Sequence, residues 1–238
     1  MARRFEEKIV VVAGGTGGLG CAVSLAFLAE GARVVVTYHS EAEWSALKSA
    51  ARVDGAKLEG HAVDVTDEAA VRAFSEKIGA AGNVDVLVNT VGGYAGGTPV
   101  WQTETSVMNH MLALNLWSGF LLARAFVPGM IERESGAIVN IAARAAVDHA
   151  AGAGAYAASK AAAVATMDCL AADLKGTGVR VNSVLPSIID TDANRRAMPS
   201  ADFAAWPKPE EIAQVVVFLA SDEARLVHGS SVPVYGNR

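Results

Sequence analysis

Ile9-Val-Val-Val-Ala13 followed by Gly14-Gly15-Thr16-Gly17-Gly18-Leu19-Gly20 is the stretch that decides the fold. Five apolar, mostly β-branched residues in a row, with no polar alternation, suit a strand buried on both faces. The glycines crowd the point where that strand gives way to a helix of small and apolar residues, expected over 18 to 30. Lacking Cβ, glycines admit positive φ and let backbone N–H groups approach a ligand closely. A helix N-terminus adds about half a positive charge. Strand, glycine turn and helix together therefore favour a pyrophosphate site of a dinucleotide over a plain tight turn.

Working outward, runs of the same kind recur at Arg33 to Thr37, Leu58 to Val63, Val84 to Val88, Ala137 to Ile141, Val179 to Leu185 and Ser231 to Val234, the third being the least regular. Helical spacing fills the intervals at 41 to 51, 67 to 80, 104 to 132, 154 to 175 and 209 to 221. Ser40, three residues before Glu43, has the spacing of a capping box. Parallel strands need such helical crossovers. The expected fold class is α/β, doubly wound, with a mostly parallel seven-stranded sheet and helices on both faces.

The chain has 238 residues, 20 Lys+Arg against 25 Asp+Glu, and 52% hydrophobic residues. No linker-like tract divides it, so a single domain over 1–238 is expected. The apolar stretch from Met111 to Met130 is interrupted by Asn115, Ser118, Gly119 and Arg124, and no membrane span is expected. The start, Met1 to Lys8, lacks the apolar core of a signal peptide. Cys21 and Cys169 lie in apolar helical patterns and read as buried small hydrophobes; a reducing, cytoplasmic setting and no metal follow. A net charge of -5 without a basic stripe argues against a nucleic-acid partner.

Further landmarks share one order along the chain. Gly14, Gly18 and Gly20 are followed by Asp64-Val65, Asn89-Thr-Val-Gly92, Asn115, Tyr156-Ala-Ala-Ser-Lys160, Asn182-Ser-Val-Leu-Pro186 and Gly229 to Gly236. This ordered set resembles the short-chain dehydrogenase/reductase superfamily, whose sheet is of the Rossmann type. The resemblance implies a nicotinamide dinucleotide held by Gly14, Thr16, Gly18, Leu19, Gly20, Asp64, Val65, Asn89, Gly92, Tyr156, Lys160, Pro186, Ile188 and Thr191. It implies that the Tyr156 phenol exchanges a proton with substrate, while Lys160, four residues on and on the same helical face, lowers the phenol's pKa and holds the ribose. Asn115 would fix a proton relay to Lys160; a satisfied polar residue in a buried helix is its other reading.

At the end of the second strand, where NAD-preferring relatives usually carry Asp, stand Tyr38, His39 and Ser40. Tyr38 and His39 are counted with the cofactor residues. Loss of the acid permits NADP, and these side chains offer donors, but no Arg or Lys marks a phosphate clamp. The balance falls to NADP, with NAD open, and a solvent-exposed loop residue is the alternative for His39.

One departure stands out. Thirteen residues before Tyr156, where the family has a catalytic Ser, this chain has Ala143. Losing such a donor to the reacting oxygen typically costs about 2 to 4 kcal/mol of transition-state stabilisation. Dihydropteridine reductase, a branch without that Ser, is similar in Val91-Gly-Gly-Tyr-Ala-Gly-Gly97, in Ala143-Arg-Ala-Ala146 and in Met198 to Trp206. An imine substrate such as quinonoid dihydropterin builds no alkoxide for a Ser to stabilise. Arg144 either supplies charge in place of the hydroxyl or is a surface residue. The expected activity is hydride transfer from NAD(P)H to a small imine or carbonyl substrate. A 3-oxoacyl thioester or other ketone reductase is one alternative, and a non-catalytic dinucleotide-binding sensor or partner subunit is another. Specificity is expected in a loop at 188–206. A homo-oligomer, a tetramer by the resemblance, is expected from the apolar circumference of the 104 to 132 helix.

Overall fold

The computed structural model describes residues 3–52 and 57–236. Seven strands, β1 (Ile9–Ala13), β2 (Arg33–Tyr38), β3 (Leu58–Ala62), β4 (Val84–Asn89), β5 (Gly136–Ile141), β6 (Val179–Pro186) and β7 (Ser230–Val234), form one sheet in the order β3-β2-β1-β4-β5-β6-β7. All six pairings are parallel. The chain winds outward from β1 in both directions, so the order reverses between β1 and β4. Diverging connections leave a crevice there, at the carboxyl ends of the strands.

The helices are α1 (Gly18–Ala29), α2 (Glu41–Ala51), α3 (Glu68–Ala81), α4 (Thr105–Leu112), α5 (Ser118–Glu132), α6 (Gly154–Asp173), α7 (Asp192–Ala197) and α8 (Pro209–Ala220). Val10 and Val12 face a core shared with Phe27 of α1 and Ile212 and Val216 of α8. Val11 and Ala13 face the opposite layer, with Phe74 of α3, Leu122, Phe126 and Met130 of α5 and Met167 of α6. Both faces of β1 are covered, which is why its sequence shows no alternation.

The structure departs from the expected elements in several places. The 104 to 132 segment is not one uniform helix: a π-helical turn, Ala113–Trp117, separates α4 from α5 and carries Asn115. Such turns insert one residue into the helical ladder and re-aim a side chain. Thr105–Glu132 is long and apolar enough to cross a membrane, but half of its most apolar window is buried in protein, the position of a core helix. β2 extends one residue further, through Tyr38, and β3 stops at Ala62. α6 ends at Asp173 and α8 at Ala220. Only half of the capping box forms: Ser40 Oγ accepts from Glu43 N at 3.3 Å, while the Glu43 carboxylate turns to Thr16. Cys21 is partly buried and Cys169 is exposed, so the expectation of two buried thiols fails for Cys169; it lies on the outer side of α6.

Candidate active site

The crevice begins at the glycine turn. Gly14 has φ +71, and a Cβ there would press on Val91 and Thr90 of the segment leaving β4. Thr37 Oγ1 accepts from Gly14 N at 3.0 Å, and Thr90 Oγ1 donates to Ala13 O at 2.7 Å, so side chains from β2 and from beyond β4 fix the turn. α1 opens at Gly17 without a side-chain cap, leaving its first-turn N–H groups, at Gly18, Leu19 and Gly20, for an anion. Thr191 reaches over this helix start, its methyl within 2.9 Å of where a Gly18 Cβ would stand. Leu19 and Val65 are buried in the core, so they present backbone to the crevice. Open backbone, a free helix end and missing Cβ atoms fit a pyrophosphate.

At the end of β2, a side chain counted with the cofactor residues is held by its own neighbours. The Tyr38 hydroxyl donates to Glu41 Oε1 at 2.7 Å, and its ring stacks on Trp44 with centroids 5.5 Å apart. Its phenol therefore belongs to the β2–α2 packing and is not a free donor. The Glu41 hydrogen bond pushes its pKa up. His39, next in line, is exposed. Thr16 Oγ1 donates to Glu43 Oε2 at 3.2 Å. Asp64, exposed after β3, accepts from Thr66 Oγ1 at 2.7 Å and Thr66 N at 2.9 Å, which holds its carboxyl below the usual range; His39 nearby acts in the same direction.

The candidate centre lies on α6, which packs against β6 and reaches the end of β5 through Lys160. Tyr156 and Lys160 share one face of α6. Lys160 Nζ is buried and donates to Ile141 O at 2.9 Å; burial lowers its pKa to about 8. Burial, with a smaller contribution from Tyr94, pushes the Tyr156 phenol up to about 12, where the resemblance implied a phenol lowered by Lys160; desolvation dominates. Asn115, only 2% exposed, accepts from Gly93 N at 3.0 Å and donates to Gly93 O at 3.1 Å and Ser159 Oγ at 2.9 Å. Gly92 passes between Asn115 and Lys160: a Cβ there would lie 2.8 Å from Asn115 Oδ1 and 3.0 Å from Lys160 Nζ. Lys160, Asn115 and Gly92 thus converge, although 68 residues separate Gly92 from Lys160 in the chain, and Ser159 links Asn115 to the Tyr156 backbone.

Asn89 lies behind this centre, not in it. It is buried, donates to Asn140 Oδ1 at 3.1 Å and Ser118 Oγ at 3.3 Å, and accepts from Val91 N at 3.2 Å, which shapes the turn after β4. Ala143 is buried at the end of β5 and offers only a methyl group. Arg144 is exposed, paired with Asp148 at 2.6 Å and lying over the Tyr235 ring at 5.2 Å, so its charge is already engaged. Pro186 is buried at the end of β6, and Ile188 beyond it is 44% exposed. The 188–206 segment contains α7 and is braced by the Asp190–Arg195 pair and by Arg195 lying 4.9 Å from the Phe203 ring. Two residues escaped the sequence reading. Ser159 bridges Asn115 to the Tyr156 carbonyl, at 2.7 Å, and stood unremarked inside the Tyr-to-Lys motif. Tyr94 sits against Tyr156, ring centroids 5.0 Å apart, and only its glycine-rich setting marked it.

The family model for short chain dehydrogenases matches residues 8–201. D-threitol dehydrogenase of Mycolicibacterium smegmatis is 34% identical, over 98% of this chain and 93% of its own. The 3-oxoacyl-[acyl-carrier-protein] reductase of Thermotoga maritima is 32% identical, over 98% of both. Among solved structures, levodione reductase superposes with a TM-score of 0.89 at 27% identity, over 97% of each chain. The chain belongs to the short-chain dehydrogenase/reductase family. It is an NAD(P)-dependent oxidoreductase.

Proposed function

We propose that this chain reduces a small carbonyl or conjugated imine substrate at the centre formed by Tyr156, Lys160 and Asn115. A single observation carries the reading: a proton-holding phenol and a buried ammonium share one face of α6 beside the crevice, and residue 143 brings no hydroxyl to it. A bound nicotinamide dinucleotide supplies the hydride. The first-turn amides from Gly18 to Gly20, with Gly14 and Thr16, would hold its pyrophosphate. Asp64 and the Val65 backbone would take the adenine, with Asn89 and Gly92 shaping the middle of the cleft. Tyr156 and Lys160 would meet the ribose, and Pro186, Ile188 and Thr191 would flank the nicotinamide.

With its pKa near 12, the Tyr156 phenol holds its proton at neutral pH and delivers it to the reduced substrate. A charged Lys160 favours the resulting phenolate. Asn115 keeps Gly93 in place and has one Oδ1 lone pair left for a relay toward Lys160. NADP remains the favoured cofactor. No carboxylate occupies the end of β2, the carboxylates of Glu41 and Glu43 are engaged by Tyr38 and Thr16, and His39 and Ser40 stand at the rim.

Quinonoid dihydropterin is the sharp form of the imine reading, because Ala143 has nothing to offer a developing alkoxide. A 3-oxoacyl thioester or other ketone reductase is the second reading, favoured by the similarity to the Thermotoga maritima enzyme. NADH and NADPH oxidation measured against quinonoid dihydropterin beside a ketone panel separates them. Tyr156→Phe should remove most turnover and leave cofactor affinity nearly unchanged; full turnover in that variant would sink the assigned donor. On this reading residues 1–238 act as one reductase domain, with the 188–206 segment over the substrate. The setting is cytoplasmic, and the partner is a small molecule, with neither nucleic acid nor membrane involved.

A further inference from the structure

We propose that Ser24, Thr37 and Thr90 are positioning residues for the cofactor: three hydroxyls that brace the glycine turn with its carbonyls drawn inward, leaving amides to meet the pyrophosphate. The inference rests on the reading that this turn holds the pyrophosphate of a dinucleotide. The hydroxyls come from three elements. Thr37 stands next to the end of β2, Thr90 follows β4, and Ser24 lies on α1. Ser24 and Thr37 are buried and Thr90 is partly buried. Thr90 Oγ1 donates to Ala13 O at 2.7 Å and shares that proton with Gly14 O at 3.1 Å. Thr37 Oγ1 accepts from Gly14 N at 3.0 Å. Ser24 Oγ donates to Gly15 O at 3.0 Å.

The Ala13 carbonyl and the Gly14 amide belong to one trans peptide unit, which points them in opposite directions. Thr90 holds one side of that unit and Thr37 the other, so side chains on both neighbours of β1 continue its ladder one residue past the strand end. Backbone bonds run the same way: Thr90 N donates to Ala13 O at 3.0 Å, and Gly15 N to Thr37 O at 3.2 Å. A carbonyl oxygen carries partial negative charge, and one turned toward a pyrophosphate would repel it. With Ala13 O, Gly14 O and Gly15 O all engaged by hydroxyls, the groups the turn offers a ligand are the N–H groups that open α1. The close approach depends on missing side chains. A Cβ at Gly15 would lie 2.9 Å from Ser24 Oγ, and one at Gly20 would lie 2.8 Å from Thr90 Oγ1. The brace thus acts through the backbone, and its effect on binding is preorganisation: the turn is already set when the ligand arrives.

Calorimetry with NADP⁺, and with 2′-AMP, which keeps the adenosine end and has no pyrophosphate, tests the brace without requiring turnover. Thr37→Ala, Thr90→Ala and Ser24→Ala should each weaken NADP⁺ about tenfold and leave 2′-AMP within about twofold of wild type. Thr37→Ser and Thr90→Ser keep the hydroxyl and should bind NADP⁺ within about threefold of wild type. The Thr37→Ala/Thr90→Ala pair should lose less than the product of the two single losses, because both hydroxyls hold one peptide unit. Ser24→Ala removes a single oxygen, so it carries the test even where a threonine variant fails to fold. NADP⁺ affinity unchanged in all three alanine variants would overturn the brace. So would a loss as large in the serine variants as in the alanine ones, which would assign the effect to the methyl groups, or an equal loss on 2′-AMP. Wild type that binds NADP⁺ no more tightly than 2′-AMP would overturn the pyrophosphate reading itself, and the brace with it.

Discussion

Asn115 and Gly93 exchange two hydrogen bonds, Gly93 N donating to Asn115 Oδ1 and Asn115 Nδ2 donating to Gly93 O, so a side-chain amide closes on the backbone as a strand neighbour would. The π-helical turn places the carboxamide where it can do this, and its second N–H goes to Ser159. Asn115→Ala leaves the Gly93 amide and carbonyl unpartnered by it. Denaturant unfolding should show a loss of about 2 to 3 kcal/mol, and kcat should fall at least about tenfold as the segment around Gly93 and Tyr94 loosens beside Tyr156. Stability and kcat both equal to wild type would mean that other contacts hold this segment.

Lys160 makes stability depend on pH in a definite direction. Its pKa is lowered to about 8 in the folded protein, against 10.5 for an unperturbed lysine. Between those values the unfolded chain binds more protons than the native one, so stability rises with pH across the window, by on the order of 3 kcal/mol. Lys160→Met should raise the denaturation midpoint at pH 7 and flatten the rise, while abolishing turnover. A midpoint that climbs equally with pH in both proteins would assign the effect elsewhere.

Ala143→Ser restores a donor where the family carries one. Ketone reduction should increase, by up to about a hundredfold, because such a donor acts on the developing oxyanion. Reduction of a pterin-like imine should stay within a few-fold, since no alkoxide forms there. A strong gain on the imine with none on ketones would break the link between the missing hydroxyl and imine chemistry. Arg144→Ala, assayed alongside, should change neither, because the guanidinium is already bound to Asp148.

His39→Asp places a carboxylate at the exposed end of β2 without disturbing the Tyr38–Trp44 stack. Repulsion of a 2′-phosphate should lower the NADPH/NADH ratio of kcat/KM by about tenfold or more. Kinetics with both cofactors measure the ratio directly. An unchanged or raised ratio would place residue 39 away from the adenosine ribose.

A homo-oligomer is expected from the outer surface of α5 and α6. Phe120, Ala123, Val127, Ala165 and Leu170 line an apolar groove of about 510 Å³ there, and Trp117 beside Phe120 is 48% exposed. Phe120→Asp should dissociate the assembly through the cost of burying a charge. Light scattering that returns a single 24.6 kDa species for the native chain at micromolar concentration would refute the interface.

The local order of the chain carried most of the fold. β1 and β2 read as buried strands because each is packed on both faces, and α1 begins where the glycines end. Asn115 was legible as a residue type but not as a geometry. The π-helical turn that aims it comes from partners 22 and 44 residues away, at Gly93 and Ser159. Tyr38 shows the converse: its position at the end of β2 suggested a cofactor donor, and Glu41 and Trp44 on the next helix claimed it. The exposure of Cys169 was equally invisible, because an Ala-rich helix has no sharp apolar stripe to say which side faces the sheet.

Sequence alone determined the parallel α/β architecture, the glycine turn, the Tyr156–Lys160 pair and the absent hydroxyl at 143, since each depends on residue type and on spacing along one strand or helix. Only the tertiary structure decided that Gly92 threads between Asn115 and Lys160, that Tyr38 turns to Glu41, and that Tyr94 lies against Tyr156. Those relationships join segments distant in the chain, and they are settled by how the layers pack around the sheet, where periodicity along one element carries no information about the partner it meets.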